Sequence, residues 1–131
     1  MTPYNYSIAE IGRLRTHIYF SLMSVPDGFL ETPREDLQQI YNGVGPEHWS
    51  GRFRRVMSWL LDFLEAPALI HDWEYVRQPK TYWRFTVANL RLAKNARLDG
   101  HLIAGFAAGL LCQLFGWRAW KEGIKEERGE K

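Results

Sequence analysis

The sequence predicts an all-α protein with a single domain of five or six helices. Apolar residues recur at three- and four-residue spacing along most of the chain. Several of these segments open with residues that cap helices, and no segment of useful length alternates apolar and polar residues as a half-buried strand does. The chain has 131 residues, of which 46% are hydrophobic and 24% charged, so residues 1–131 are expected to bury one core.

The first helix is predicted over residues 8–23. Ser7 and Glu10 have the spacing of a capping box, and apolar residues follow at helical spacing. The stretch 25–28, Val-Pro-Asp-Gly, combines a fixed φ with a glycine, which predicts a turn after this helix.

The second helix is predicted to begin at Thr32 and to run to residue 42. Thr32 is the expected N-cap, and Pro33 suits the first helical position. Two alternate glycines and a proline in the stretch 41–46 end the helix, because they cannot continue it.

Four further helices complete the expected domain. Residues 52–64 show a helical apolar pattern, and Pro67 then interrupts it, so a new helix is predicted over 67–78. Thr81 is the expected cap of a helix over 82–97, and Asp99 that of a last helix over 100–121. Small residues in the last helix predict close packing against a neighbour. The remaining tail, 122–131, is charged and expected to fray.

Composition narrows the function. The lone cysteine, Cys112, cannot form an intrachain disulfide and is expected to be a buried thiol. The apolar run 102–115 is shorter than the roughly 20 residues of a membrane span, so it predicts a buried core helix instead. A net charge of +2 gives no reason to expect nucleic acid as a partner. The N-terminus lacks a secretory pattern, so export by that route is not expected.

The candidate functional residues lie in the stretch 66–75. His71 and Tyr75 are four residues apart and share a helix face, and Asp72 adjoins the histidine. Histidine titrates near neutral pH and can act as a general base. Any chemistry is therefore expected here.

The pattern His-Asp-x-x-Tyr, preceded by the Tyr-x-Gly-x-Gly loop that begins at Tyr41, resembles the phospholipase A2 superfamily, including its short viral members. The resemblance implies that His71 activates a water molecule and that Tyr75 supports the network. It also implies Ca²⁺ bound near a phospholipid ester. The calcium ligands that it implies are Asp72 and the carbonyl oxygens of Tyr41, Gly43 and Gly45.

The superfamily orients its histidine with a second carboxylate from the following antiparallel helix. The matching residue here is Asn89. The helices 67–78 and 82–97 are therefore expected to pack antiparallel with His71 facing Asn89. An amide oxygen holds the histidine tautomer but does not stabilise an imidazolium as a carboxylate does.

A second resemblance covers residues 25–120. The stretches Ile-His-Asp-x-x-Tyr at 70–75, Ala-Asn at 88–89 and Phe-Gly-x-x-x-Trp at 115–120 are similar to an uncharacterised family of small phage and prophage proteins. That family has an Ala-Asp pair where this chain has Ala88-Asn89. The resemblance implies a phage setting, with the protein in the cytoplasm of a bacterial host or in a phage particle, and leaves the chemistry open.

Three functions remain open from the sequence. One is a phospholipase A2-like lipid ester hydrolase, or a degenerate relative, of phage or prophage origin. The alternative is a non-enzymatic phage structural or assembly protein in which the His-Asp-x-x-Tyr helix is a packing element. A third is a membrane-surface binder that uses the first helix and neighbouring tryptophans. The expected partner is accordingly phospholipid or another phage protein.

Overall fold

The computed structural model describes residues 6–43, 59 and 64–122. Their helices confirm the predicted all-α class, and no strand occurs in these ranges. Most of the predicted helix 52–64, the glycine Gly45 and the tail beyond residue 122 lie outside them. The helices, in chain order, are α1 (Ile8–Phe20), α2 (Arg34–Gly43), α3 (Glu65–Arg77), α4 (Tyr82–Leu98), α5 (Leu102–Phe115) and α6 (Trp117–Glu122).

Helix α3 is central to the described fold. It contacts α1, α2, α4 and α6, and all ten residues from 66 to 75 are buried. Pro67 is its third residue. The first four N–H groups of a helix have no acceptor within the helix, so a proline here costs no hydrogen bond. The predicted helix at 67–78 is therefore confirmed, although it begins two residues earlier. Burial on every side brings its polar residues into the core.

Helix α1 begins as predicted and ends three residues early. Ser7 and Glu10 form the capping box. The helix stops at Phe20 because Leu22 adopts a left-handed conformation with φ of 57°. The N–H groups of Leu22 and Met23 then donate to the carbonyls of Tyr19 and Ile18. This is a Schellman motif with leucine at the position that glycine usually occupies.

Helix α2 begins one residue later than the expected first helical position. Leu37 N–H donates to the Pro33 carbonyl in the first turn, and Arg34 is the first helical residue. The Thr32 hydroxyl donates to the Gly28 carbonyl at 2.7 Å and accepts from Trp73 Nε1 at 3.0 Å. Thr32 therefore joins the α1–α2 connection to α3.

Helix α4 begins at the predicted residue and ends at Leu98, one residue later than predicted. Thr81 caps it, accepting from Arg84 N–H at 3.2 Å. Asp99 was expected to cap the next helix, but it is the C-cap of α4, and Gly100 follows with φ of 86°. His101 N–H donates to the Ala96 carbonyl at 2.8 Å, which completes a second Schellman motif. Gly100 thus ends α4 and does not begin α5.

Close packing between α4 and α5 depends on two glycines. A Cβ atom on Gly105 would lie 2.3 Å from the Ala96 Cβ, and one on Gly109 would lie 3.0 Å from the Asn89 carbonyl oxygen. The predicted close approach of a neighbouring helix is confirmed. The predicted burial of α5 is wrong for its outer side, where Ile103 is 83% exposed.

The expected single helix over 100–121 is two helices, α5 and α6, which separate at Gly116. A Cβ atom on Gly116 would lie 2.6 Å from both the Cys112 carbonyl oxygen and the Tyr75 hydroxyl oxygen. Trp120 of α6 is fully buried against Tyr75 and Phe85. The break therefore turns α6 back onto the central helix.

No described helix has the length and apolar character that crossing a membrane requires.

Candidate functional site

His71 and Asn89 meet between α3 and α4. His71 Nε2 lies 2.8 Å from Asn89 Oδ1. The predicted contact between these residues is confirmed. Tyr75 also packs against Phe85, with ring centroids 6.4 Å apart. A step of four residues forward on α3, from His71 to Tyr75, matches a step of four residues back on α4, from Asn89 to Phe85. The two helices therefore run antiparallel, as predicted.

The hydrogen bonds of Asn89 fix the tautomer of His71. Asn89 Nδ2 donates to Gln113 Oε1 at 2.8 Å, so its Oδ1 faces the histidine. His71 Nε2 must then carry the proton and donate. Gln113 Nε2 in turn donates to Tyr82 Oη and Thr86 Oγ1, each at 3.0 Å. A directed chain of hydrogen bonds thus runs from the buried imidazole to the surface of α4.

The His71 imidazole is neutral near pH 7. Its residue is 5% exposed and Asn89 is 3% exposed. Burial lowers the pKa of His71 from 6.5 to about 4, against the opposing effect of the Asn89 hydrogen bond. A protonated imidazole at this position would lose its hydration. Its hydrogen-bond partner is the amide of Asn89, which does not offset the positive charge as a carboxylate would. The sequence predicted the contact but did not reveal this burial.

Tyr75 occupies an aromatic pocket. Its ring lies 4.6 Å from the His71 ring and packs edge-on against Trp120, with centroids 5.1 Å apart. Burial raises the pKa of the Tyr75 phenol well above its usual value, and Cys112 and Asp72 act in the same direction. The phenol is protonated, and its hydroxyl lies where any side chain on Gly116 would have to be.

Cys112 is a buried thiol, as predicted. Burial raises its pKa to about 12, with a smaller contribution from Asp72 in the same direction and an opposing one from Tyr75. A thiol that stays protonated is a poor nucleophile.

Asp72 of α3 is also buried, and only 6% of it is exposed. Its charge raises the pKa values of both Tyr75 and Cys112, so it lies within their electrostatic reach. Cys112 belongs to α5. The carboxylate is therefore in the neighbourhood of α5.

The described part of the glycine loop is near the other end of α3. Tyr41 donates its hydroxyl to the Glu65 carbonyl at 3.0 Å, and its ring stacks on Tyr6. Glu65 is seven residues before Asp72, about 10 Å along a helix axis. Gly43 is the last residue of α2. Gly45 lies outside the ranges that the structure describes.

The proposed site residues therefore fall into two groups. The structure brings His71, Tyr75 and Asn89 together, whereas Tyr41 of α2 contacts Glu65 at the start of α3. Within residues 6–43, 59 and 64–122, no three or more His, Cys, Asp and Glu side chains form a group that could hold a metal ion.

The polar contacts of two α4 residues, Arg91 and Asn95, were not predicted from the sequence. Arg91 Nη1 donates to Glu74 Oε1, and Arg91 Nε donates to Ser24 Oγ at 3.1 Å. Glu74 is 1% exposed, so this is a buried ion pair between α3 and α4. Asn95, also fully buried, donates to the Ser24 carbonyl and accepts from its N–H, each at 2.8 Å. Isolated Glu, Arg and Asn in helical patterns carry no local signal of such pairing.

The fold and the site define a small all-α protein whose central helix carries a buried polar network. Comparison of the chain with protein-family models, with curated proteins and with solved structures found no match.

Proposed function

We propose that this chain is a non-enzymatic phage structural or assembly protein in which the His-Asp-x-x-Tyr helix is a packing element. The observation that carries the proposal is the burial of His71 together with its partner Asn89. A hydrolytic base needs a water molecule and a substrate beside it and a pKa near the working pH. The pKa of His71, lowered to about 4 by burial, suits a neutral hydrogen-bonding group better.

The packing role has a direct physical basis. A buried polar group whose partner is removed costs about 1–3 kcal/mol, so paired groups favour one helix register over the alternatives. His71 selects Asn89 on α4, and Asn89 selects Gln113 on α5. The chain of hydrogen bonds therefore sets the relative positions of three helices.

The phage setting of the proposal rests on the second resemblance. The residues that carry it are distant in sequence and adjacent in space. The Tyr75 hydroxyl occupies the space that a side chain at residue 116 would need, and the Tyr75 ring packs on Trp120. His71 forms a hydrogen bond with Asn89. Packing alone gives each of these residue types a purpose, which supports an assembly role over a catalytic one.

A phospholipase A2-like lipid ester hydrolase is the second candidate, favoured by the His71 tautomer. With Nε2–H donated to Asn89, the lone pair of Nδ1 remains on the imidazole. A histidine base uses such a lone pair to take a proton from water. In this candidate Asp72 and the carbonyls of Tyr41, Gly43 and Gly45 hold Ca²⁺, and the substrate is a phospholipid.

Thermal melts with added calcium and with a chelator separate the two candidates. A bound metal stabilises the folded state by mass action. The assembly proposal predicts the same melting temperature in both solutions. A higher melting temperature in calcium, lost in an Asp72→Asn variant, would favour the hydrolase.

Vesicle assays with a His71→Ala variant give the second readout. The assembly proposal predicts no calcium-dependent fatty acid release from the wild-type protein and a clear loss of stability in the variant. The matched control is His17→Ala, because His17 bonds to Asp99 at 2.7 Å but is half exposed. Fatty acid release by the wild type that disappears in His71→Ala and persists in His17→Ala would contradict the assembly proposal.

A further inference from the structure

The outer face of α5 is apolar and exposed. No charged residue occurs from Leu102 to Phe115, and the inner stripe is buried against α4. The exposed fractions on the outer side are 59% for Leu102, 83% for Ile103, 64% for Phe106, 48% for Leu110 and 63% for Leu114. A helix that is apolar all round normally has all of its sides covered. Contiguous exposed apolar surface of this kind marks an interaction site.

The adjoining face of α4 adds aromatic and cationic groups. Trp83 and Leu90 are 70% and 65% exposed, and Lys94 and Arg97 are also exposed. Their spacings of seven, four and three residues place all four on one side of the helix. Gln113 of α5 donates to Tyr82 and Thr86 of α4, and α5 packs closely on α4 through Gly105 and Gly109, so the two helices lie side by side. The outer faces of α4 and α5 thus form one surface, here called the α4–α5 face.

Residues 78–121 and the remainder of the chain have net charges of opposite sign. Residues 78–121 contain seven Lys and Arg and one acidic residue, Asp99, which gives +6. The whole chain has a net charge of +2, so the remainder carries −4. The small total conceals a basic, apolar part that holds α4 and α5 and an acidic part that holds α1, α2 and α3.

Charge decides what covers this face. A second copy related by symmetry would bring another Lys94 and Arg97 to the same contact, and like charges oppose association. Nucleic acid would match the cations but would leave the apolar side chains of α5 in water. An anionic phospholipid surface matches both, because its headgroups attract Lys and Arg while its acyl region takes up apolar side chains.

We propose that the α4–α5 face binds the surface of an anionic phospholipid membrane. Helix α5 has 14 residues and is about 21 Å long at the rise of an α-helix. Because a bilayer core is about 30 Å thick, α5 lies in the plane of the interface and does not cross it. Phe106 and Leu110 enter the acyl boundary, and Lys94 and Arg97 approach the lipid phosphates. This binding holds whether or not His71 has a catalytic role.

The test is co-sedimentation of the full chain with vesicles of two compositions. One set contains phosphatidylcholine and phosphatidylglycerol in equal parts, and the other contains phosphatidylcholine alone. The chain is expected to sediment with the anionic vesicles and to be released by added salt. Phe106→Asp with Leu110→Asp should weaken binding at least about tenfold. Lys94→Ala and Arg97→Ala should each weaken it about fivefold.

Gln39→Asp is the matched control for Lys94→Ala and Arg97→Ala, because it makes the same change of one charge unit at an exposed position of α2. It should sediment as the wild type does. Melting curves of every variant confirm folding, and the two cation variants decide the question if an α5 variant is unstable. Absence of wild-type binding would overturn the proposal, as would equal binding to neutral vesicles. A dimer that Phe106→Asp dissociates, without vesicle binding, would assign this face to a second copy instead.

Discussion

The α3–α4 interface and the outer face of α5 invert the usual distribution of polar and apolar side chains. Between α3 and α4, His71, Glu74 and Asn89 are each at most 5% exposed, and each has a named partner on the facing helix or on α5. On α5, Ile103 and Phe106 are mostly in water. Helix α3 has charged residues and is buried, whereas α5 has no charged residue and its outer side is exposed. Hydrophobicity alone therefore does not identify the central helix, but hydrogen-bond partners do.

Breaking the buried ion pair should have the largest effect. Arg91→Met leaves the Glu74 carboxylate buried without its cation, and we expect a loss of about 3–5 kcal/mol in the free energy of unfolding. Urea denaturation measures it. The control is Arg77→Ala, which removes an exposed pair with Asp36 at 3.9 Å and should cost less than about 1 kcal/mol. Similar losses in the two variants would show that Glu74 and Arg91 are not held in a buried pair.

Acid should destabilise the protein through His71. Since burial lowers the pKa of His71 in the folded state to about 4, the unfolded chain binds the proton first as the pH falls below 6.5. The stability supplied by the neutral imidazole is complete above pH 6.5 and falls as the pH drops toward 4, by about 3 kcal/mol in all.

Urea titrations at a series of pH values compare the wild type with His71→Gln. The difference in unfolding free energy between the two proteins should change over this window, because the variant has lost that titration. A difference that stays constant from pH 4 to 7 would mean that His71 is hydrated in the folded protein.

A change of side-chain size should alter stability much more on the inner side of α5 than on its outer side. Gly105→Ala adds one methyl group where a Cβ atom would lie 2.3 Å from the Ala96 Cβ, and we expect it to cost about 1–3 kcal/mol. Phe106→Ala removes a whole ring on the outer side and should change stability by less than about 0.5 kcal/mol. Thermal melts of both variants provide the measurement. If Phe106→Ala cost more than Gly105→Ala, the outer face would be covered within the folded chain.

Leu22→Gly should have the smallest effect and the opposite sign. Leu22 is 85% exposed and has φ of 57°, a conformation that favours glycine. The substitution removes about 1 kcal/mol of backbone strain, and little packing is lost. A rise in melting temperature is expected, with Gly100→Ala as the reverse test at the other Schellman motif, where φ is 86°. A stabilised Gly100→Ala protein would contradict this account.

Local signals were sufficient for much of the fold. The Ser7 capping box, the Thr81 cap and the turn before Thr32 depend on neighbouring residues, so the sequence contains their whole cause. The contact between His71 and Asn89 was also predicted, because the resemblance to the phospholipase A2 superfamily implies that a residue of the following antiparallel helix faces the histidine. The chemical role assigned to them stays a prediction.

Signals from distant residues explain what was not predicted. The break at Gly116 depends on the Tyr75 hydroxyl, and the anchoring of Ser24 depends on Asn95, each contributed by another helix. The end of α1 was missed because Leu22 stands where glycine normally signals a cap. The exposure of α5 was not predicted, because an uncharged apolar run is typical of a buried helix and nothing within the run itself signals an exposed side.

The burial of Cys112 makes this protein its own reporter of breathing motions. The thiol is 1% exposed and is the only one in the chain. A soluble disulfide reagent can reach it only when α5 moves away from the core, so the labelling rate counts those openings. Where reclosing is faster than labelling, the rate gives the equilibrium population of the open form. Membrane binding through the α4–α5 face would then appear as a change in that rate, with no probe added to the surface under test.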